Sequence, residues 1–265
     1  TFDASGKRTN APFNSDDEDI AAGYTDTLNE ALAQTSEELL DKFFETAEIT
    51  QEEAVEALHQ GIIDGSIVPV FSGCATNLWG LLDTIHDSFP RPTAKKVEQI
   101  IDGDSFKDKP IETDGECSLF VFKTIADPFV GKMTFFKVMS GTLTNDLTMK
   151  NVTSGTTEKM AHIYTMRGKK QTEVTSLCCG DIGMIAKLAG TNTNDTLTVS
   201  SDFEYRKIAF PHPYYTMAIT PAAKGDEDKI STGIARLLEE DKTLAYENNA
   251  ETKQMTISGL GDMQL

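Results

Sequence analysis

Between Cys117 and Val199 turn signals cut the sequence into short apolar runs, each of strand length. Strands are predicted at Cys117 to Ala126, Lys132 to Ser140, Asp146 to Asn151, Thr157 to Met166, Glu173 to Leu177, Asp181 to Leu188 and Thr196 to Val199. The stretches "DPFVGK", "TNDL" and "TSGTT" separate them. Strands at this spacing predict a closed β-barrel, because closure removes the unpaired edges that an open sheet exposes.

Ahead of this region the pattern is helical. The first twenty residues, with "GKRTNAPFNSDDED", are polar and turn-rich and read as a loop or short irregular region. Tyr24, Leu28, Leu32, Thr35, Leu39 and Phe43 recur at steps of three and four and predict one amphipathic helix from about Thr25 to Thr46. Thr50 and Glu53 form a capping box for a second helix, with Gly61 placed to close it. A strand follows at Ser66 to Phe71 and ends, in "VPVFSGCA", on the small residues Ser72, Gly73, Cys74 and Ala75. Little side-chain bulk there lets a ligand approach the backbone N–H groups, although a tight strand-to-helix connection has the same composition. Leu78, Leu81, Leu82, Ile85 and Phe89 predict the next helix, which Pro90 and Pro92 stop. Strand, loop and helix read as the end of a parallel α/β unit, cut at its N-terminal side.

After the barrel the order is strand Tyr214 to Thr220, helix from about Asp226 to Glu239, and strands near Leu244 to Asn248 and Gln254 to Ser258. This βαββ order is the first part of a split βαβ sandwich, whose second helix would begin around Gly261, where the chain stops. Asp226, Glu227 and Asp228 open the helix, where the dipole favours negative charge; capping accounts for them better than metal binding.

The net charge of −18 is uneven: residues 1–92 hold 18 acidic and 4 basic side chains, the remainder 24 and 20. The acidic part repels a nucleic-acid backbone and suits a basic protein surface, or is a solvated helical face. Cys74, Cys117, Cys178 and Cys179 show neither C-x-x-C spacing nor framework density, so a reducing compartment and no disulfides are expected. A thiol chemistry at Cys178 and Cys179 with His162 as base lacks an electropositive setting, and packed strand positions are the preferred reading. His59, His86, His162 and His212 are too far apart in sequence for a zinc site, no run reaches membrane-spanning length, and a soluble cytoplasmic protein is expected.

The stretch "LFVFKTIADPFVGKMTFFKVMSGTLTND" resembles the second domain of elongation factor G, with its phenylalanine-lysine strand, A-D-P-F-x-G turn and S-G-T-L turn in order. "CCGDIGMIAKLAGTNTNDTL" continues the resemblance, and "GDEDKISTGIARLLEEDKTL" with "ETKQMTISGLGDMQL" looks like part of the third domain. "VPVFSGCA" resembles the fifth guanine-nucleotide motif, and the likeness runs from about Thr35 to the end. What it implies is a multidomain α/β plus β chain. Residues 1–92 would be the C-terminal part of a P-loop-type G domain with its acidic helical insert. Residues 93–205 would be a Greek-key β-barrel of translation-factor type, and 206–265 a partial ferredoxin-like α/β sandwich. It further implies that Ser72, Gly73, Cys74 and Ala75 form the guanine side of an incomplete nucleotide site, and that the insert meets the ribosomal stalk protein. Lys137, Ser140, Gly141 and Thr142 would contact the small ribosomal subunit, whereas the compact basic cluster Arg167, Lys169 and Lys170 reads either as a phosphate-contacting turn on the ribosome or as a solvated one; no DNA or membrane partner is expected. For Phe135 and Phe136 the expected role is packing.

GTP or GDP with magnesium is the cofactor implied for the intact protein and none is expected for this fragment. Its 265 residues contain no G-x-x-x-x-G-K-[ST], and the family's N-K-x-D and magnesium-contacting threonine are missing as well. No catalytic or metal-binding residue is therefore assigned, and no hydrolysis by the fragment alone is expected. The expected role is a part of a GTP-dependent translocation or elongation factor; the competing reading is a ribosome-associated module, or protection-type factor, that never hydrolyses GTP. Ser72 and Cys74 reverse the usual C-G-S-A order. Thr220, Lys242 and Gln264 stand for the usual glutamate, proline and histidine, and Asn194 for a glycine. These departures favour an elongation-factor-G-like paralogue over the main translocase.

Overall fold

The chain is represented by a computed structural model that describes residues 3, 7, 9, 11, 12, 14–71, 73–92, 94–221, 223, 225–249 and 254–265. It divides into two units, Thr1–Lys95 and Lys96–Leu265.

The first unit holds four helices among the described residues: α1 (Ser15–Ala33), α2 (Glu37–Thr46), α3 (Gln51–Asp64) and α4 (Leu81–Ser88). The single helix expected from Thr25 to Thr46 is thus two, and the expected irregular start is helical from Ser15. Two caps explain the difference. Asn14 accepts the Asp17 amide at 3.0 Å and starts α1 ten residues early. Ser36 accepts the Leu39 amide at 3.1 Å and restarts the helix after a break at Gln34 and Thr35. The hydrophobic stripe is not buried along its length even within α1: Leu32 is buried, whereas Tyr24 and Leu28 are exposed.

The Thr50 and Glu53 capping box is present, and Lys42 adds an ion pair to Glu53 at 2.6 Å that ties α2 to α3. Lys42 first, and the Thr50 hydrogen bonds after it, hold the Glu53 carboxyl down at about 2. Gly61 does not close α3, which runs on to a left-handed Gly65 with φ of 78°. Gly61 is buried inside the helix because Ile67 lies against it; an added Cβ would stand 2.6 Å from Ile67 Cδ1. The segment predicted as a strand at Ser66 to Phe71 has no ladder partner, since the first unit contains no other strand among the described residues; Val68 and Val70 are 81% and 92% exposed.

The second unit opens with a hairpin that the strand pattern missed, β1 (Val97–Asp102) and β2 (Ser105–Pro110), turning at Gly103 with φ of 61°. Next come β3 (Ser118–Asp127), β4 (Gly131–Ser140), β5 (Thr142–Thr144), β6 (Leu147–Asn151), β7 (Thr157–Met160), β8 (Ile163–Arg167), β9 (Lys170–Val174), β10 (Ser176–Cys178), β11 (Ile182–Ala186) and β12 (Thr196–Thr198). Eight of them form one antiparallel sheet in the order β7-β6-β12-β3-β4-β11-β8-β9, and β5 pairs with β10.

Ladder closure of the barrel is not observed. The sheet curls round one core, and β7 and β9 remain its hydrogen-bonding edges. The predicted strand Thr157 to Met166 is broken at Ala161 and His162, where the Ala161 amide turns back to Lys159 O at 3.0 Å. Its first half pairs with β6 and its second with β9 and β11, so one bent stretch of chain joins opposite ends of the sheet. Met160 and Ile163, either side of the bend, share the core with Leu119, Phe136, Leu143, Leu177 and Leu197.

The last elements are β13 (Tyr215–Ile219), α5 (Glu227–Glu240), β14 (Ala245–Asn249) and β15 (Gln254–Gly259), the strands forming an antiparallel sheet in the order β13-β15-β14. Asp226 holds the N-cap position of α5 without a side-chain cap bond and pairs with Lys229 at 2.7 Å instead.

Candidate functional site

The small-residue loop of the first unit folds on itself. Cys74 and Trp79 exchange backbone hydrogen bonds at 3.0 and 3.1 Å. Gly73 is needed for this closure, since a Cβ there would lie 2.5 Å from Trp79 O. Gly73, Cys74 and Ala75 border a hollow of about 500 Å³ with an apolar wall that includes Ile62, Phe71, Trp79, Leu81 and Phe89. The Cys74 amide is therefore taken by the Trp79 carbonyl and is not open to a ligand. Ser72 lies outside the described residues. Among the described residues the wall carries no cation that would meet a triphosphate.

In the second unit the sequence candidates fall into two groups on different elements. Lys137 is half-exposed and 3.8 Å from the Glu98 carboxylate. Ser140 is buried and donates to Glu112 O at 2.8 Å, and the Gly141 amide donates to the same carbonyl at 2.9 Å. Gly141, with φ of 66°, also abuts the Gly115 carbonyl, which leaves no room for a side chain. Thr142 is exposed at the start of β5. Arg167, Lys169 and Lys170 are all exposed and share the β8–β9 hairpin tip, where Arg167 pairs with Lys170 across Gly168 in the left-handed region.

Phe136 is core and Phe135 half-buried. All four cysteines are free thiols. Burial, helped by the neighbouring Glu116 charge, pushes the Cys117 thiol up to about 12, and burial raises Cys179 as well. His162 is engaged by Glu173 at 2.7 Å. Among the described residues no group of three His, Cys, Asp or Glu side chains is placed to hold a metal ion, and no helix is long and apolar enough to cross a membrane.

One set of polar residues escaped the sequence reading. Lys123, Thr124 and Lys132 of β3 and β4 meet Glu239 and Glu240 at the end of α5, across more than a hundred residues of sequence. No local pattern marks such a pair. The Asn194 departure, by contrast, is explained: Asn194 sits at φ of 77°, a backbone that glycine takes freely and asparagine tolerates. Its amide bonds the Ile208 backbone on both sides, accepting from N at 2.8 Å and donating to O at 3.0 Å.

Comparison with known proteins places these features in a family. The family model "Elongation factor G domain 2" matches residues 116–200, and "Elongation Factor G, domain III" matches residues 210–265. Elongation factor G of Cytophaga hutchinsonii is 35% identical over 97% of the chain, and the chain spans 38% of that relative's length. A crystal structure of a Thermus thermophilus protein superposes with a TM-score of 0.78 over 97% of this chain and 37% of its own, at 24% identity, which is a likeness of fold. With two of its segments matching consecutive domains of one factor in the same order, this chain belongs to the elongation factor G family.

Proposed function

We propose that the chain serves a GTP-dependent ribosomal elongation factor, with residues 1–92 as the end of a G domain and its insert, 93–205 as the ribosome-contacting sheet and 206–265 as a partial sandwich. The observation that carries this reading is the in-order match of domains II and III in a chain 35% identical to an elongation factor G. In it, Arg167, Lys169 and Lys170 contact rRNA phosphates in the cytoplasm, while Ser140 and Gly141 shape the turn that presents Thr142. The acidic helices α1 and α2 suit a basic surface on the stalk protein. Gly73 to Ala75 lie on the guanine side of a site whose phosphate and magnesium groups this chain does not supply. Hydrolysis therefore does not occur on this chain alone.

Two measurements test the reading. Changing Arg167, Lys169 and Lys170 together to alanine weakens co-sedimentation with ribosomes and flattens its salt dependence, since fewer counterions are released. Unchanged sedimentation overturns the assignment of the hairpin. Titration of the chain with GTP gives no saturable binding at micromolar concentration; such binding would contradict the incomplete-site reading.

A further inference from the structure

The last turn of α5 has a donor on each of its four final carbonyls. Leu237 O accepts the Asp241 amide at 2.8 Å and Leu238 O accepts Lys242 Nζ at 3.1 Å. The other two donors come from β3: Thr124 Oγ1 to Glu239 O at 2.7 Å and Lys123 Nζ to Glu240 O at 2.7 Å. Helix-end carbonyls have no partner within the helix, and a cation beside them is favoured by the dipole. Here a different element of the unit supplies both.

The side chains of the same turn reach back. Glu239 pairs with Lys132 at 2.6 Å with most of both side chains covered, and Lys132 also donates to Asn192 Oδ1 at 2.8 Å. The Glu240 carboxylate accepts the Ala126 amide, a group at the far end of β3. Beyond the helix, Gln264 donates to Asp241 Oδ2 at 2.8 Å and to Thr243 Oγ1 at 2.7 Å, while its own carbonyl accepts the Leu260 amide. Apolar burial contributes little at this end: Ile234 is buried, but Leu237 is 48% exposed.

We propose that these bonds form a polar clasp that seats α5, and with it the three-stranded sheet, in one orientation on the curled sheet, and that the clasp opens as a unit when its charged members are screened or removed. The reason is the kind of bond. A contact held by apolar area slides with little change in energy, whereas directional bonds to fixed carbonyls hold one geometry and fail together once the helix end moves. Thr124 is fully buried, so a departed helix end leaves its hydroxyl facing Thr193 alone. The clasp stands independently of any ribosomal role.

Amide hydrogen exchange on the whole chain tests it, comparing the wild type with the double substitution Thr124→Val and Lys132→Met. Exchange of the Ala126 amide and of amides 238–241 is expected to rise about tenfold or more, the loss of a charge-assisted hydrogen bond. Leu119, Phe136 and Ile257 keep their protection. In the wild type, raising sodium chloride to about 1 M, where the screening length is about 3 Å, moves the same amides in the same direction. Unchanged exchange at Ala126 in the double variant overturns the clasp. So does an equal rise at Leu119, Phe136 and Ile257, which marks loss of the fold as a whole, and Glu239→Gln, which keeps every backbone bond, then separates the ion pair from the carbonyl caps.

Discussion

Asn151 Nδ2 donates to Asp195 Oδ2 at 2.8 Å, joining the end of β6 to the turn before β12. Both residues are buried. The same amide reaches Gly190 O and Thr191 Oγ1, while the Asp195 carboxylate also accepts the Asn192 amide at 2.7 Å and Asn151 Oδ1 accepts the Ser154 amide at 3.0 Å. A single asparagine thus serves two turns.

Replacing Asn151 by leucine strips partners from several buried polar groups at once. The expected cost is about 3 kcal/mol, at the upper end for unsatisfied buried groups. Urea unfolding of the variant, with an unchanged slope and a lowered midpoint, checks it.

Asn194→Gly keeps the left-handed backbone but removes both bonds to Ile208, and about 1 kcal/mol of destabilisation follows. Asn194→Val adds backbone strain to the same loss and falls further. The order of the two variants in thermal melts is the discriminating result.

Gly183 lies in β11 against the core, and a methyl there would stand 2.7 Å from Phe136 Cζ and press on Leu177. Gly183→Ala is expected to destabilise by about 1–3 kcal/mol through overpacking. Trimming the opposing ring in Gly183→Ala with Phe136→Leu recovers part of the loss, which a double-mutant cycle measures.

Acid titration reads the carboxylate of Glu116. Partial burial pushes it up, but amides and hydroxyls of Ser200 and Ser201 outweigh that and bring it to about 2 from an ordinary 4.5. The stabilisation is complete above pH 4.5 and is lost as the pH falls toward 2, because only the ionised form accepts all these bonds. Glu116→Gln should be less stable at neutral pH and show a flatter decline between those two values.

Much of the second unit was legible because its signals are local. β3, β4, β6, β11, β12, β13, α5, β14 and β15 fall within a residue or two of the alternating runs that announce them. The Thr50 and Glu53 box starts α3 where the spacing placed it. The misses were of two kinds. Asn14 and Ser36 are caps that outweighed a hydrophobic stripe, and their residue types were there to be read. The β1–β2 hairpin was signalled only by Asp102 and Gly103 in a polar stretch, and it is held from outside by Glu204 and Arg206.

Residue order by itself determined most strands of the second unit and the starts of α3 and α5, the family they belong to and the absence of a G-x-x-x-x-G-K-[ST] stretch within the 265 residues. Period, cap and turn chemistry act over a few neighbouring residues, so they can be read along the line of the chain. Only the tertiary structure decided that Thr157 to Met166 bends to span both ends of the sheet, that the Cys74 amide closes on Trp79, and that β3 caps α5. Each of these depends on which distant group satisfies a particular donor or acceptor. That choice is made by packing, after the local elements exist.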